Sequence, residues 1–228
     1  MRKRSKRYDA DARKVDADRK YDVTDAVKVL KTFTPTKFDS SVNIVMKLGV
    51  DPKKSEQNIR GSVSLPKGIG KPRRVIVFAD GAEAEGARGA GADEVGMEDL
   101  AKKIEGGWFD FDVAIAMPRT MKVISKLGKV LGPKGLMPSP KNGTVTDDVK
   151  TATREFKAGK IEFRNDASGN VHAAVGKLSF NEGDLKSNID AFIDHIKAMR
   201  PATVKGTYIE NVTVSATMSP GIALAVQG

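Results

Sequence analysis

Two hydrophobic patterns occur along this chain, and one is enclosed by the other. Residues 41–49 alternate apolar and polar side chains, which predicts a strand with one buried face. The alternation returns in residues 160–177, where it predicts a hairpin with a loop of several residues, and in residues 208–217, where a slip in phase predicts a bulge. Between them, residues 181–199 form a predicted amphipathic helix that Asn181 caps. Half-buried strands with such a helix indicate an antiparallel α+β arrangement.

The middle of the chain has the other pattern. Residues 75–78 and 113–117 are unbroken apolar runs, and predicted helices alternate with them. Strands that are apolar on both faces predict a small parallel sheet with helices on both sides. We therefore expect two domains: a discontinuous antiparallel α+β domain formed by residues 1–66 and 160–228, and an inserted Rossmann-like, three-layer α/β domain formed by residues 67–159.

The first 21 residues look different from both domains. They alternate Lys and Arg with Asp and contain few apolar side chains. Such a composition predicts an arm, either solvated or RNA-binding, that becomes ordered only on a partner. A short amphipathic helix is predicted next, with Asp22 or Thr24 as its cap and an end before Pro35.

The composition favours an anionic partner. Lys and Arg number 39 against 29 Asp and Glu, a formal net charge of +10. Release of counterions from phosphates supplies most non-specific affinity for nucleic acids, although charge alone does not separate RNA, DNA and acidic lipid. No apolar run approaches the ~18 residues of a membrane-spanning helix, and no apolar segment of a signal peptide follows residues 1–7. We expect a soluble, cytoplasmic protein.

Enzymatic motifs are missing from the sequence. It has no Cys and two His, so it offers no thiolate nucleophile and little for a metal site. Of the glycine clusters, Gly68-Ile69-Gly70 precedes its strand and Gly89-Ala90-Gly91 lacks a third glycine, unlike the dinucleotide-binding fingerprint. We expect no catalysis, cofactor or metal. The alternatives are a Rossmann-type enzyme with a phosphate ligand and, less favoured because helix 181–199 is acidic, a membrane-surface binder.

Residues 126–143 are rich in Gly, Pro and Lys. Glycine permits left-handed backbone, proline disfavours a helix interior, and lysine requires a solvated or anionic surface. The pattern therefore predicts an ordered basic loop. It lacks the Gly-Lys-Ser/Thr ending of a phosphate-binding loop.

The run from Val123 to Pro138 resembles the signature of the large-subunit ribosomal protein L1 family. Shorter motifs in the family's order cover nearly the whole chain: Lys37-Phe38-Asp39, Leu48-Gly49-Val50-Asp51-Pro52, Asn58-Ile59-Arg60-Gly61, Leu65-Pro66, Gly159-Lys160-Ile161-Glu162-Phe163-Arg164 and Gly176-Lys177-Leu178-Ser179-Phe180. The resemblance implies a structural constituent of the ribosome that binds ribosomal RNA, forms the mobile stalk near the transfer-RNA exit site and assists release of deacylated tRNA. It also implies a translational repressor that binds the messenger RNA of its own operon, and a monomer when free.

The resemblance also implies which residues contact RNA. On the terminal domain these are Lys37, Phe38, Ser41, Arg164, Asp166, Lys177, Ser179, Thr217, Met218, Ser219 and Pro220; secondary contacts to RNA or tRNA fall on Lys126, Lys129, Lys134 and Lys141. By its sequence context alone, Phe38 either fills the core at a turn or faces RNA. The family usually has Gly where this chain has Ser219. If that position requires a positive φ or a close approach of the RNA backbone, Ser carries a cost of about 1 kcal/mol, and either Gly221 takes over the bend or the contact is looser.

Overall fold

A computed structural model describes residues 4–226 of the chain. By compactness it divides into two units: the first unit is Met1–Gly70 with Ile161–Gly228, and the inserted unit is Lys71–Lys160. In chain order the helices and strands are α1 (Lys6–Ala12), α2 (Val23–Lys31), β1 (Ser41–Leu48), β2 (Arg60–Ser64), β3 (Val75–Phe78), α3 (Gly81–Gly89), β4 (Glu94–Gly96), α4 (Glu98–Glu105), β5 (Val113–Ala116), α5 (Met121–Ile124), α6 (Gly128–Lys134), α7 (Val149–Ala158), β6 (Lys160–Arg164), β7 (Asn170–Lys177), α8 (Glu182–Ala198), β8 (Ile209–Ala216) and β9 (Gly221–Ala223). Among the described residues, no helix combines the length and apolar character that crossing a membrane requires.

The first unit is built on a four-stranded antiparallel sheet in the order β7-β1-β8-β9. Every second residue of β1 is buried, as the alternation predicts, so the strand has one core face. Helices α2 and α8 contribute to the same core, with Leu30 and Phe192 among its fully buried side chains. Asp22 caps α2 by accepting a hydrogen bond from the amide of Thr24. The other face of the sheet keeps its polar side chains.

The predicted hairpin of residues 160–177 is wrong. Strand β6 pairs with β2 in a separate two-stranded sheet, whereas β7 pairs with β1. The turn between β6 and β7 exists, and an isolated bridge joins Asn165 to Val171. Phe163 of β6 packs edge-to-face on Phe192 of α8, with ring centroids 5.6 Å apart. Alternation predicts which side chains are buried, but it does not identify the partner strand.

The predicted bulge in the last long strand is confirmed. Lys47 of β1 pairs with Asn211 and Leu48 pairs with Ile209, so Glu210 is the extra residue on β8. The carboxylate of Glu210 lies 2.8 Å from the ammonium of Lys47. One inserted residue therefore explains the change of phase.

The N-terminal arm is folded, contrary to the prediction. Helix α1 begins after Ser5, whose hydroxyl accepts a hydrogen bond from the amide of Tyr8. Asp11 is fully buried, and Tyr21 is buried and bridges to Leu224. Apolar side chains are few in this segment, and hydrogen bonds largely hold it in place of a hydrophobic core. Residues 1–3 of the predicted arm lie outside the described residues.

The inserted unit contains a three-stranded parallel sheet in the order β4-β3-β5. Strands β3 and β5 are buried on both faces. Ile76 and Phe78 pack in one core with α4, α5 and α6, while Val75 and Val77 pack in another with α3 and α7. The mixed α/β fold class is therefore confirmed, and the apolar strand pattern has its expected cause.

The predicted loop of residues 126–143 is wrong, because much of it is helical. Ser125–Leu127 forms a turn of 3₁₀ helix, α6 follows, and Pro140–Asn142 forms a second such turn. Leu127 and Leu131, four residues apart, are fully buried, and their packing outweighs the low helix propensity of Gly and Pro. Pro133 lies inside α6, which ends at Lys134, and Gly135 then adopts a φ of 72°.

Candidate nucleic-acid interface

Three predicted segments meet at one end of the four-stranded sheet. The register pairs Ser41 with Lys177 and Val42 with Ala216, so the start of β1 lies between the ends of β7 and β8. The amide and the hydroxyl of Thr217 donate to the carbonyl oxygen of Ser41 at 3.0 and 3.2 Å. The ammonium of Lys177 donates to the hydroxyl oxygen of Ser41 at 2.9 Å. We call this region the sheet-end surface; it comprises Lys37, Phe38, Ser41, Lys177, Ser179, Thr217, Met218 and Ser219.

The loop before β1 presents an aromatic ring to solvent. Phe38 is 54% exposed, so it does not fill the core. Its neighbour Asp39 accepts hydrogen bonds from the hydroxyl of Ser179 at 2.8 Å and from the amide of Ser179 at 3.2 Å. Lys177 also donates to the carbonyl of Asp39, at 3.3 Å. The loop is therefore tied to the residues that follow β7, which holds the ring in an outward position.

Met218 is the second large exposed apolar side chain, at 69% exposure. Its φ is 66°, and within residues 4–226 it is the only residue other than glycine with a positive φ. The left-handed conformation costs a residue with a Cβ about 1–2 kcal/mol. Strain of this kind persists only where the surroundings hold it.

Ser219 does not have a positive φ, so the condition for strain at this position is not met, and the left-handed residue is the one before it. The hydroxyl of Ser219 donates to the carbonyl of Ala216 at 2.8 Å and accepts from its amide at 3.0 Å. Gly221 lies in β9 and does not take over the bend. Ser219 therefore closes the turn with its own side chain. Pro220 is buried, so its ring does not belong to the exposed surface.

Arg164 and Asp166 lie near the opposite end of β7. Asn170, at the start of β7, pairs with Lys47, so about 20 Å of strand separates this end from the sheet-end surface. The carboxylate of Asp166 accepts from the amides of Asn170 and Ser168, both at 2.8 Å. These bonds, with further ones from the Asn170 side chain and from His172, hold the pKa of Asp166 well below its usual range. Asp166 is thus occupied in forming the turn.

A row of polar side chains connects the two ends, and the motifs did not single it out. Asn43 of β1 pairs with Ala174 and Ser215, and Val45 pairs with His172 and Thr213. We call this the open face, and it comprises Asn43, His172, Thr213 and Ser215. These side chains are exposed or half-buried. The polar positions of the alternating strands are the sequence signal that could have identified the open face.

A comparison with models of protein families matches residues 30–220 to the Ribosomal protein L1p/L10e family. The chain belongs to this family. It is accordingly an RNA-binding structural protein of the large ribosomal subunit, found on the ribosome in the cytoplasm. The family consists of structural RNA-binding proteins and not enzymes, which removes the Rossmann-type enzyme as an alternative.

In this ribosomal L1-family chain the inserted unit carries its own basic surface. Lys126, Lys129, Lys134 and Lys141 are all exposed, and none forms an ion pair with a carboxylate among residues 4–226. The ammonium of Lys134 lies 4.2 Å from the ring centre of Phe109. Leu127 and Leu131 are buried, whereas the lysines of this stretch face solvent. These cations are therefore available to a phosphate backbone.

Proposed function

We propose that the sheet-end surface and the open face bind a folded segment of ribosomal RNA and so attach the chain to the mobile stalk of the large subunit. The observation that carries this proposal is the outward, hydrogen-bonded placement of Phe38 and Met218 beside basic and hydroxyl side chains. Single-stranded or bulged RNA is recognised by stacking on such apolar side chains and by hydrogen bonds to base edges and 2′-hydroxyls. Lys37 and Lys177 supply the positive charge.

Substitution in the full-length chain tests this proposal. Phe38→Ala and Met218→Asp should each weaken binding to deproteinised large-subunit ribosomal RNA; for the ring, loss of stacking corresponds to about 1–3 kcal/mol. Thr217→Ala should also weaken it. Lys37→Ala and Lys28→Ala remove the same charge, but Lys28 lies on α2. Filter binding at one salt concentration should therefore show a larger loss of RNA affinity for Lys37→Ala than for Lys28→Ala. Unchanged RNA affinity of folded Phe38→Ala and Met218→Asp variants contradicts the proposal.

We propose further that the two compact units are separate domains with borders after Gly70 and Lys160. The earlier border, after residue 66, leaves out residues whose backbone is bonded to Asn188 of α8. Residues 1–70 joined to 161–228 by a short flexible linker should bind the ribosomal RNA, whereas residues 71–160 should not. Comparable binding by the isolated middle piece counts against this division.

For the inserted unit, we propose contact with transfer RNA that leaves the exit site, and assistance in its release. Four exposed lysines without carboxylate partners support this role, because they attract phosphates without regard to sequence. Simultaneous replacement of Lys126, Lys129, Lys134 and Lys141 by Gln should slow tRNA departure from ribosomes and leave ribosomal-RNA affinity of the free protein nearly unchanged. An unaltered departure rate overturns this assignment.

We propose finally that the free monomer represses translation by binding the messenger RNA of its own operon. The sheet-end surface supports this because one surface holds one RNA at a time, so ribosomal RNA and messenger should compete. A competition measurement tests it: excess ribosomal RNA should release the messenger, and Met218→Asp should weaken both complexes. Simultaneous binding of both RNAs contradicts the proposal.

A further inference from the structure

The folded N-terminal segment reaches the strained turn at Met218. Nη2 of Arg7 donates to the carbonyl oxygen of Met218 at 2.8 Å, and Nη1 donates to the carbonyl oxygen of Thr34 at 3.4 Å. A hydrogen bond from a guanidinium to a carbonyl is charge-assisted and stronger than a neutral one. One side chain of α1 therefore connects the loop after α2 to the exposed turn after β8.

Helix α1 is anchored by a buried carboxylate. Asp11 is 0% exposed and accepts from the amide and the hydroxyl of Thr34, both at 3.0 Å, and from the ammonium of Lys14 at 2.9 Å. Lys14 donates at the same time to the carbonyl of Thr32 at 2.7 Å. Breaking these contacts leaves a buried charge without partners, which is costly. Arg7 precedes Asp11 by four residues, so the two side chains lie on the same side of the helix.

These contacts stabilise the left-handed backbone conformation of Met218. The direction of the Met218 carbonyl depends on the backbone angles of that residue, so a donor fixed at this carbonyl favours the left-handed conformation over the commoner ones. We infer that Arg7 is a positioning residue for RNA binding, and that α1 is a clasp that holds Met218 outward before RNA arrives. The inference rests on the proposed function of the sheet-end surface. A turn ordered in advance binds more tightly because less conformational entropy is lost on binding.

A simple electrostatic role for the arm makes the opposite forecast for one substitution. Asp11→Asn removes a negative charge, so attraction to phosphates alone predicts tighter RNA binding. The clasp predicts weaker binding, because the neutral amide oxygen holds the Lys14 ammonium less strongly than a carboxylate does. The amide nitrogen would also take the buried place of Oδ2, where no hydrogen-bond partner lies among the described residues. For charge loss, the matched control is Arg13→Ala, since Arg13 is exposed on the same segment as Arg7.

The test measures binding of the full chain to deproteinised large-subunit ribosomal RNA over a series of salt concentrations. Arg7→Ala and Asp11→Asn should weaken binding about tenfold, the loss expected for a hydrogen bond from a charged group, whereas Arg13→Ala should change it less than about twofold. The salt dependence should stay the same for Arg7→Ala, since no phosphate contact is lost. In the free protein, exchange of the Thr217 and Ser219 amides, which donate to the carbonyls of Ser41 and Ala216, should become faster in the first two variants and not in the third.

Three results overturn the clasp: Asp11→Asn that is folded and binds as tightly as the unaltered chain or more tightly; Arg7→Ala with unchanged affinity; or exchange of the Thr217 and Ser219 amides that Arg7→Ala leaves unchanged. Circular dichroism verifies folding, and the Arg7→Ala result decides the matter if Asp11→Asn does not fold. Met218→Asp distinguishes a failure of the proposed binding surface from a failure of the clasp alone. If it leaves affinity unchanged, the proposed binding surface fails; if it weakens binding while Arg7→Ala does not, only the clasp fails.

Discussion

The side-chain amide of Asn188 donates a hydrogen bond to the carbonyl oxygen of Gly68 at 2.9 Å. The same amide donates to the carbonyl of Val175 at 2.8 Å, and its oxygen accepts from the amide of Lys67 at 3.0 Å. Asn188 is fully buried on α8. One side chain thus satisfies three backbone groups and holds the chain where it leaves the first unit.

Replacement of Asn188 should therefore destabilise the first unit. Asn188→Leu keeps a side chain branched at Cγ, although a larger one, and leaves the three backbone groups without this partner, so we expect a loss of about 2–4 kcal/mol in the free energy of unfolding. Ser187→Ala, at the exposed neighbouring position, should change it by less than about 0.5 kcal/mol. Urea unfolding followed by circular dichroism measures both, and equal effects of the two substitutions contradict the role of Asn188.

Two glycines should respond in opposite ways to alanine. A Cβ on Gly49 would lie 2.3 Å from the carbonyl oxygen of Thr207, so Gly49→Ala forces the backbone to shift and should cost about 2 kcal/mol or more. A Cβ on Gly86, within α3, meets no atom within 4 Å. Gly86→Ala should stabilise the inserted unit by about 0.5–1 kcal/mol, because Ala is the better helix former.

Denaturant unfolding followed by tryptophan fluorescence can assign the effect of Gly86→Ala to its unit. The single Trp, Trp108, lies in the inserted unit, so its fluorescence follows the transition of that unit. Gly86→Ala should move the fluorescence midpoint to higher denaturant. A stabilising effect of Gly49→Ala, or a destabilising effect of Gly86→Ala, would show that the local packing is not as described.

Met218 should show a conflict between stability and binding. Met218→Gly removes the cost of the left-handed conformation and should raise the free energy of unfolding by about 1 kcal/mol. It also removes the exposed thioether side chain, so affinity for ribosomal RNA should fall. Thermal unfolding and filter binding on the same sample measure the two effects, and a variant that is less stable than the unaltered chain contradicts the assigned strain.

Tyr208 carries a buried hydroxyl with no hydrogen-bond partner among the described residues. Burial raises the pKa of Tyr208 to about 12. Since the unfolded chain has an ordinary tyrosine pKa near ~10, the folded state is disfavoured as the pH rises from about 10 towards 12. Below that window, Tyr208→Phe should leave stability unchanged or raise it by up to about 1 kcal/mol, because it removes an unsatisfied group.

The pH dependence separates this explanation from a packing effect. The difference in free energy of unfolding between Tyr208→Phe and the unaltered chain should grow in favour of Phe as the pH increases above about 10. Denaturant unfolding at pH 8 and pH 11 measures it. A difference that stays constant between these values excludes titration of the buried hydroxyl as the cause.

Periodicity and motifs predicted much of this protein, for local reasons. Alternation identified β1 because the core face of a half-buried strand must be apolar at every second position. The slip in phase identified the bulge at Glu210, since one extra residue moves all later side chains to the other face. The family was recognisable because its motifs are residue types at set spacings, which need no coordinates.

Other features depended on contacts between distant residues. The partner of β6 is β2 and not β7, and alternation does not encode the partner. The arm is held by contacts with distant residues, among them the hydrogen bonds from Thr34 to the buried Asp11. Neither the partner of β6 nor the hydrogen bonds of Asp11 can be predicted from a short stretch of sequence.

By itself, then, the sequence determined the fold class and the family, because each follows from the order and spacing of side chains. The tertiary structure alone decided that residues 126–143 are largely helical, that Asp166 forms a turn, and that the strain lies at Met218 while Ser219 relieves the bend. The physical reason is that backbone conformation there is set by burial of side chains and by specific side-chain hydrogen bonds, which outweigh local propensities of about 1 kcal/mol.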